Sequence, residues 1–326
     1  MKILIAYLKK ETVLCIAVLL AAFSMPLIHP DSKYSGYMDY RTLALLFSLM
    51  TIMEGFKQTG FFADVARALL GRAHTFRQLY LVLVMLCFFC SMWITNDVAL
   101  LTFVPFTILV LELSGLQKEM IPVIVMQTIA ANLGSMMTPV GNPQNLYLYS
   151  VSGMGIGEFF SVMGPLSALS FLLILGACIF HKNFVLDPEL LKHMEPSGEV
   201  AGKSSKTAEA ASGNAVPKRL RNLQNLLLAT LFLFSLLSVF RVISWPVLVV
   251  VVLTGCLLLT GVFHSSFLPK KVDYSLLLTF IAFFVFIGNM GRVPAFCRFL
   301  GRILEGREII TCVGASQIIS NVPAAL

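Results

Sequence analysis

Two polar clusters interrupt long apolar stretches in the first half of the chain. The first is Ile94-Thr95-Asn96-Asp97-Val98, flanked by the apolar runs 78–94 and 98–113. Each run can reach the middle of a bilayer and return, so Thr95, Asn96 and Asp97 would form the tip of a re-entrant hairpin. Holding a carboxylate such as Asp97 at that depth costs roughly 2.5–3.5 kcal/mol by insertion scales. Such a group faces a cavity and meets a cation, a proton or a polar partner. Asp and Asn also cap helix N-termini well, and a cap and an ion contact are compatible at one tip. The second cluster runs from Ala131 to Asn145 and holds Asn132, Gly134, Thr138, Pro139, Gly141, Asn142, Pro143 and Asn145. Its prolines remove backbone donors and its glycines loosen the chain, so a helix over 120–148 should break within 138–143. Unwound backbone at membrane depth is tolerated only against protein or a wet cavity. Free carbonyls there suit Na⁺, while amides and the N-terminus of the second half-helix suit an anionic group. The carboxamides add donors and acceptors without fixed charge. A proline kink with no ligand is the competing reading.

The elements that must position these residues are membrane helices. Of 326 residues, 57 % are apolar and 13 % charged, with a net charge of +7; the charged share is far below the ~25 % of soluble domains. This composition excludes a disordered chain, a disulfide-framed secreted domain and a nucleic-acid binder. The cysteine count is odd, at 7, and the Cys87-x-x-Cys90 pair sits inside an apolar run, where helix packing explains it. A spanning helix needs roughly 20 apolar residues. Full or partial spans are expected at 12–29, 39–56, 78–94, 98–113, 120–148, 159–181, 223–240, 246–263, 273–290 and 307–326. The first follows Lys9 and Lys10 but lacks a small-x-small cleavage pattern, so it reads as a retained anchor rather than a signal peptide.

With the N-terminus in the cytoplasm, 17 of the Lys and Arg residues fall on the inner side and 7 on the outer, as the positive-inside rule requires. The segment 182–222 is a polar, Ser/Ala/Lys/Gly-rich cytoplasmic linker, too polar to bury a core. It separates an N-terminal anchor and outer loop (1–38) and a first repeat (39–181) from a second repeat (223–326). Three landmarks recur in order: Asp39-Tyr40 and Asp273-Tyr274, Leu70-Gly71-Arg72 and Leu300-Gly301-Arg302, Thr95-Asn96 and Ser320-Asn321. The parity of crossings makes the copies inverted, as in many secondary transporters. Symmetry also explains Arg292, Arg298, Arg302 and Arg307 on the outer side, as the counterpart of the amphipathic segment 57–77. The second copy lacks a partner for Asn132–Asn145 and so reads as incomplete. The expected fold is an all-α polytopic membrane protein: an inverted-repeat transporter with re-entrant hairpins and a broken helix.

Ile-Thr-Asn-Asp-Val-Ala-Leu-Leu with Pro105 downstream, followed by Ala-Asn-Leu-Gly-x-x-x-Thr-Pro-Val-Gly-Asn-Pro-Gln-Asn, resembles the ion transporter superfamily. The nearest groups are citrate-transporter-like permeases, divalent anion–sodium symporters and arsenite permeases. The ending Ser-Gln-Ile-Ile-Ser-Asn-Val-Pro-Ala-Ala resembles the second hairpin tip of that superfamily. The resemblance implies two hairpins and two broken helices meeting near the midplane, elevator-type alternating access and a homodimer. It places Thr95, Asn96 and Asp97 at the first tip, Asn132, Gly134, Thr138, Gly141 and Asn142 at the first break, and Ser320 and Asn321 at the second tip. Where symporters of this kind often show Ser-Asn-Thr, the tips here read Thr-Asn-Asp and Ser-Asn-Val. The extra acid suggests proton coupling or direct cation binding, with Na⁺ near Asn96, Asp97, Thr138 and Asn142.

The expected function is secondary active transport of a small anion across the cytoplasmic membrane, driven by Na⁺ or H⁺, with no other cofactor. The alternative is a truncated, non-transporting remnant or a partner subunit. Neither an intramembrane enzyme nor a selective pore is supported: there is no H-E-x-x-H, no catalytic carboxylate pair and no ring of selectivity residues. Glu54 is expected to snorkel from the inner end of its span, Glu112 to lie at the interface near Lys118, and His181 and His193 to be solvated.

Overall fold

The computed structural model describes residues 11–62, 64, 65, 75–185, 218–263 and 268–319. Among them the protein is helical, with a lone antiparallel bridge between Thr75 and Val185. The helices are α1 (Thr12–Ser24), α2 (Tyr40–Thr59), α3 (Phe76–Ile94), α4 (Asn96–Leu113), α5 (Met120–Ser135), α6 (Pro143–Ser152), α7 (Ile156–Ile179), α8 (Lys218–Val239), α9 (Trp245–Phe263), α10 (Tyr274–Met290), α11 (Pro294–Leu304) and α12 (Glu308–Ile319). Three are long and apolar enough to cross a bilayer: α3, α7 and the Arg219–Val239 stretch of α8. The pair α10 and α11, bent by 90°, supplies a fourth if counted as one span, and α1 and Trp245–Gly261 are shorter apolar helices. The protein is an all-α polytopic membrane protein, with helices shorter than several expected spans. The run 12–29 is helical only to Ser24, and 120–148 divides into α5 and α6.

The described residues fall into two compact units, one reaching to Phe47 and resuming at Val272, the other Ser48–Lys271. In the first, α1 packs on α10. The small side chains of Ala17 and Ala21 let it approach Ala282, Phe283 and Val285 closely, the usual way helices associate without a hydrophobic drive between them. The end of α10 is tied down by polar groups. Asn289 is fully buried; its Nδ2 donates to Ser24 Oγ (2.9 Å) and to Tyr34 OH (2.8 Å), and Tyr34 OH donates to the Ile28 carbonyl at 2.6 Å. Just beyond, Arg292 donates to Asp31 and to Tyr37 OH, each at 2.9 Å. The Tyr37 ring lies flat against Gly288, where a Cβ would come within 2.3 Å of it. The two Asp-Tyr landmarks have the same local role: Asp39 accepts from Thr42 N (3.1 Å) and Asp273 from Leu276 N (3.2 Å), each three residues on.

In the second unit α3, α4, α5 and α7 pack together around Leu79, Leu83, Phe88, Phe103 and Leu111. A thread of contacts closes one end of this bundle. Phe76 N donates to the Phe184 carbonyl at 2.9 Å, and Arg77 Nε to the His181 carbonyl at 3.3 Å. The His181 ring stacks on Tyr80 with centroids 4.3 Å apart. Glu119 lies 3.6 Å from both the His181 ring and Lys182. This corrects the expectation of a solvated His181: its flat ring packs between an aromatic ring and an acid. His193 lies outside the described residues. Glu54 pairs with Lys57 one turn on, at 3.6 Å, and Glu112 is exposed in the last turn of α4.

Candidate functional site

Only Thr95 separates α3 from α4. Its φ of 71° lies in the left-handed region, which a β-branched residue enters only under strain. That conformation reverses the chain at once. Thr95 Oγ1 accepts from Val98 N at 3.5 Å, so Thr95 caps α4. Asp97 is not the cap; it sits exposed in the first turn, where the helix dipole favours a negative charge. The two legs lie side by side. Gln127, fully buried on α5, donates from one Nε2 to the Leu83 carbonyl (3.1 Å) and to Thr107 Oγ1 (2.8 Å). Leu83 and Thr107 lie equally far before and after Thr95 in the chain, so one side chain can bridge them only if α3 and α4 form a hairpin.

The break in the long helix spans 136–142, two residues earlier at its start than expected. Pro143 lies outside it and opens α6 at the first position, where a missing N–H goes unnoticed. Asn142 is the cap: its Oδ1 accepts from Asn145 N at 2.8 Å, while its Nδ2 donates to Ser135 Oγ at 3.2 Å. Asn145 Nδ2 reaches back to the Met136 carbonyl (3.1 Å) and the Thr138 carbonyl (3.3 Å). Thr138 Oγ1 accepts from Gly141 N at 3.1 Å and donates to the Met92 carbonyl of α3. Gly141 has no room for a side chain, since a Cβ would lie 2.0 Å from the Ser135 carbonyl.

Hairpin and break meet through Asn96. Its backbone N–H donates to the Gly141 carbonyl at 3.3 Å, and its Nδ2 donates to Asn132 Oδ1 at 3.0 Å. Asn132 Nδ2 in turn donates to the Thr128 carbonyl at 2.8 Å. Gly134 permits the close approach of α5 to α3, because a Cβ there would lie 2.1 Å from the Phe88 carbonyl. Thr95, Asn96, Asn132, Gly134, Thr138, Gly141 and Asn142 thus come together, with Asp97 beside them. Ser320 and Asn321 lie outside the described residues.

The expectation of free carbonyls needs narrowing. Those of Met136, Thr138 and Gly141 are taken by protein donors, because buried backbone groups must find partners. The carbonyls of Pro139 and Val140 have no donor among the described residues. The arrangement therefore offers neutral oxygens, carboxamides and one carboxylate. It also sets the first residue of α4 against the residue preceding the cap of α6, so the positive ends of two helix dipoles converge on one spot. Among the described residues no cluster of His, Cys, Asp or Glu could hold a metal ion. Sequence reasoning placed Asn145 in the polar cluster but did not single out Gln127 or Ser135 as part of this assembly. A lone carboxamide in the apolar run of α5 was the available signal for Gln127.

The family model for the citrate transporter matches residues 3–326. The chain belongs to the citrate transporter family. It is 29 % identical over 299 residues to the inner membrane protein YbiR of Escherichia coli, covering 90 % of this chain and 72 % of YbiR. It is 27 % identical over 292 residues to the transporter MJ0456 of Methanocaldococcus jannaschii, covering 88 % of this chain and 71 % of the relative. A silicon efflux transporter of rice, LSI3, matches over 170 residues at 29 % identity, covering 51 % of this chain and 34 % of that protein. This citrate transporter family member is therefore a multi-pass membrane protein of a transporter family.

Proposed function

We propose that the chain is a secondary active transporter that moves a small anion, a di- or tricarboxylate or an inorganic oxyanion, across the cytoplasmic membrane. Transport is coupled to Na⁺ or H⁺. The observation that carries this reading is the double attachment of Asn96, through its backbone to Gly141 and through its side chain to Asn132. It joins a hairpin tip to a helix break and leaves two helix N-termini facing one spot. In this reading the N-terminal turns of α4 and α6 attract the anion, and Asn96 and Asn132 hydrogen-bond its oxygens. The Pro139 and Val140 carbonyls, with Thr138 and Asn142, receive Na⁺, and Asp97 holds the coupling cation or proton. The sequence resemblance also assigns Ser320 and Asn321 to substrate or ion binding. The matched caps Asp39 and Asp273 support an inverted repeat, and hence alternating access of elevator type. The N-terminus is cytoplasmic, and the unit of function is a homodimer.

The test is uptake by reconstituted protein of citrate, succinate, sulfate and arsenite, each under a Na⁺ gradient and under a pH gradient. The relative named for silicon efflux makes inorganic oxyanions worth the same effort as citrate. Asn96→Ala and Asp97→Asn should each lower gradient-driven uptake by roughly tenfold or more, a loss of interactions made to the moving solute. Unchanged uptake in both variants would refute the assignment.

A further inference from the structure

α10 ends at Met290 and α11 starts at Pro294, with their axes at 90°. When a membrane-crossing helix turns through a right angle, the next helix lies in the plane of the membrane surface. The sequence of α11 suits that position. Arg298 and Arg302, one turn apart, share a face, while Phe296, Phe299 and Ile303 share the other. The apolar face is not covered: Phe299 is 60 % exposed and Ile303 39 %. No Asp or Glu occurs within 294–304. Arg298 spends one N–H on the Pro294 carbonyl, and both arginines are exposed. Arg302 has no side-chain partner among the described residues. Arg292, by contrast, is fastened to Asp31 and Tyr37, so the four arginines of this region divide into one that fixes the turn and others that face outward.

We propose that α11 lies in the membrane–water boundary and that Arg298 and Arg302 bind the phosphate of an anionic phospholipid headgroup. A basic, amphipathic helix with aromatic residues opposite its charges partitions there, and the planar guanidinium matches phosphate oxygens in pairs. The charge complementarity selects the occupant. A protein partner for the Phe299 face would leave two arginines, one turn apart, beside it with no acidic side chain of α11 to pair them.

The full-length protein is reconstituted in nanodiscs of phosphatidylcholine alone or with a minor share of phosphatidylglycerol. Hydrogen exchange over 294–304 and native mass spectrometry of retained lipid are then read. Phosphatidylglycerol should slow exchange in this segment several-fold and be retained in preference to phosphatidylcholine. The Arg298→Gln/Arg302→Gln variant should lose both effects, and Arg298→Lys/Arg302→Lys should keep part of them. Inorganic phosphate in the buffer should reproduce neither. The proposal is overturned if exchange ignores the headgroup, if the glutamine variant retains phosphatidylglycerol like the wild type, or if free phosphate protects as well as the lipid. Unaltered exchange over α10 verifies the fold of each variant, and Arg302→Gln alone serves if the double variant fails that check. None of these readouts depends on transport.

Discussion

Two helix interruptions in this protein carry similar residues and resolve in opposite ways. The break at 136–142 and the bend at 291–293 both combine a glycine with a proline that starts the next helix. At the first, the polar side chains of the break turn inward. Asn142, Asn145, Thr138 and Ser135 satisfy one another and the unwound backbone. At the second, the backbone closes on itself, with Gly291 N donating to the Ile287 carbonyl at 2.8 Å. The stabilising groups there come from the 28–37 segment, and the helix beyond opens outward. Helix breakers alone therefore do not mark a binding site. A site needs small polar side chains at the break and a second element for them to reach.

The largest effect that could separate the two regions is steric. At Gly141 an added methyl would meet the Ser135 carbonyl at 2.0 Å, whereas at Gly291 its nearest neighbour is the Ile287 carbonyl at 3.3 Å. Gly141→Ala should cost about 3 kcal/mol and reduce uptake to background. Gly291→Ala should leave the unfolding midpoint in detergent near that of the wild type, and equal losses in the two variants would erase the contrast. Next in size is Gly134→Ala, which pushes α5 off the backbone of α3. A loss of about 1–3 kcal/mol is expected from overpacking, read as a lowered denaturation midpoint, with the Asn96–Asn132 contact weakened. Asn142→Ala removes a cap worth about 1 kcal/mol, and Asn142→Asp should restore most of the stability.

The smallest effect concerns the bend. The hydrogen bond from Arg292 holds the Asp31 carboxyl below the ordinary carboxylate range. A carboxylate whose folded-state value is depressed adds stability above its unfolded value and loses it as pH falls through the folded one. Asp31 is solvent-facing, so the gain is small. Asp31→Asn should flatten the fall of the melting temperature in acid while leaving uptake at neutral pH unchanged. An acid profile identical to the wild type would remove Asp31 from the account of the bend.

Much of the site was legible because its residues contradict their surroundings. Pro139, Gly141 and Asn142 have no business inside a plain membrane helix, and Thr95-Asn96-Asp97 cannot sit between two apolar runs without a purpose. What could not be read locally was who partners whom. Thr95 rather than Asp97 caps α4, because the chain reverses there at positive φ, a geometry that propensity does not anticipate. Thr138 bonds the carbonyl of Met92, and Gln127 bonds two helices at once; both are contacts between residues far apart in sequence. The packing of His181 between Tyr80 and Glu119 escaped notice for the same reason. A histidine beside a polar linker looks exposed until the helix opposite is known. The three-step pattern of the Asp-Tyr caps, by contrast, is local and was visible as a repeated doublet.

The single carboxamide of Gln127 has a mechanical consequence. By bonding both legs of the hairpin, it ties them to α5 at Leu83 and at Thr107, on either side of the tip. Loss of that one amide would therefore release both legs from α5 at once.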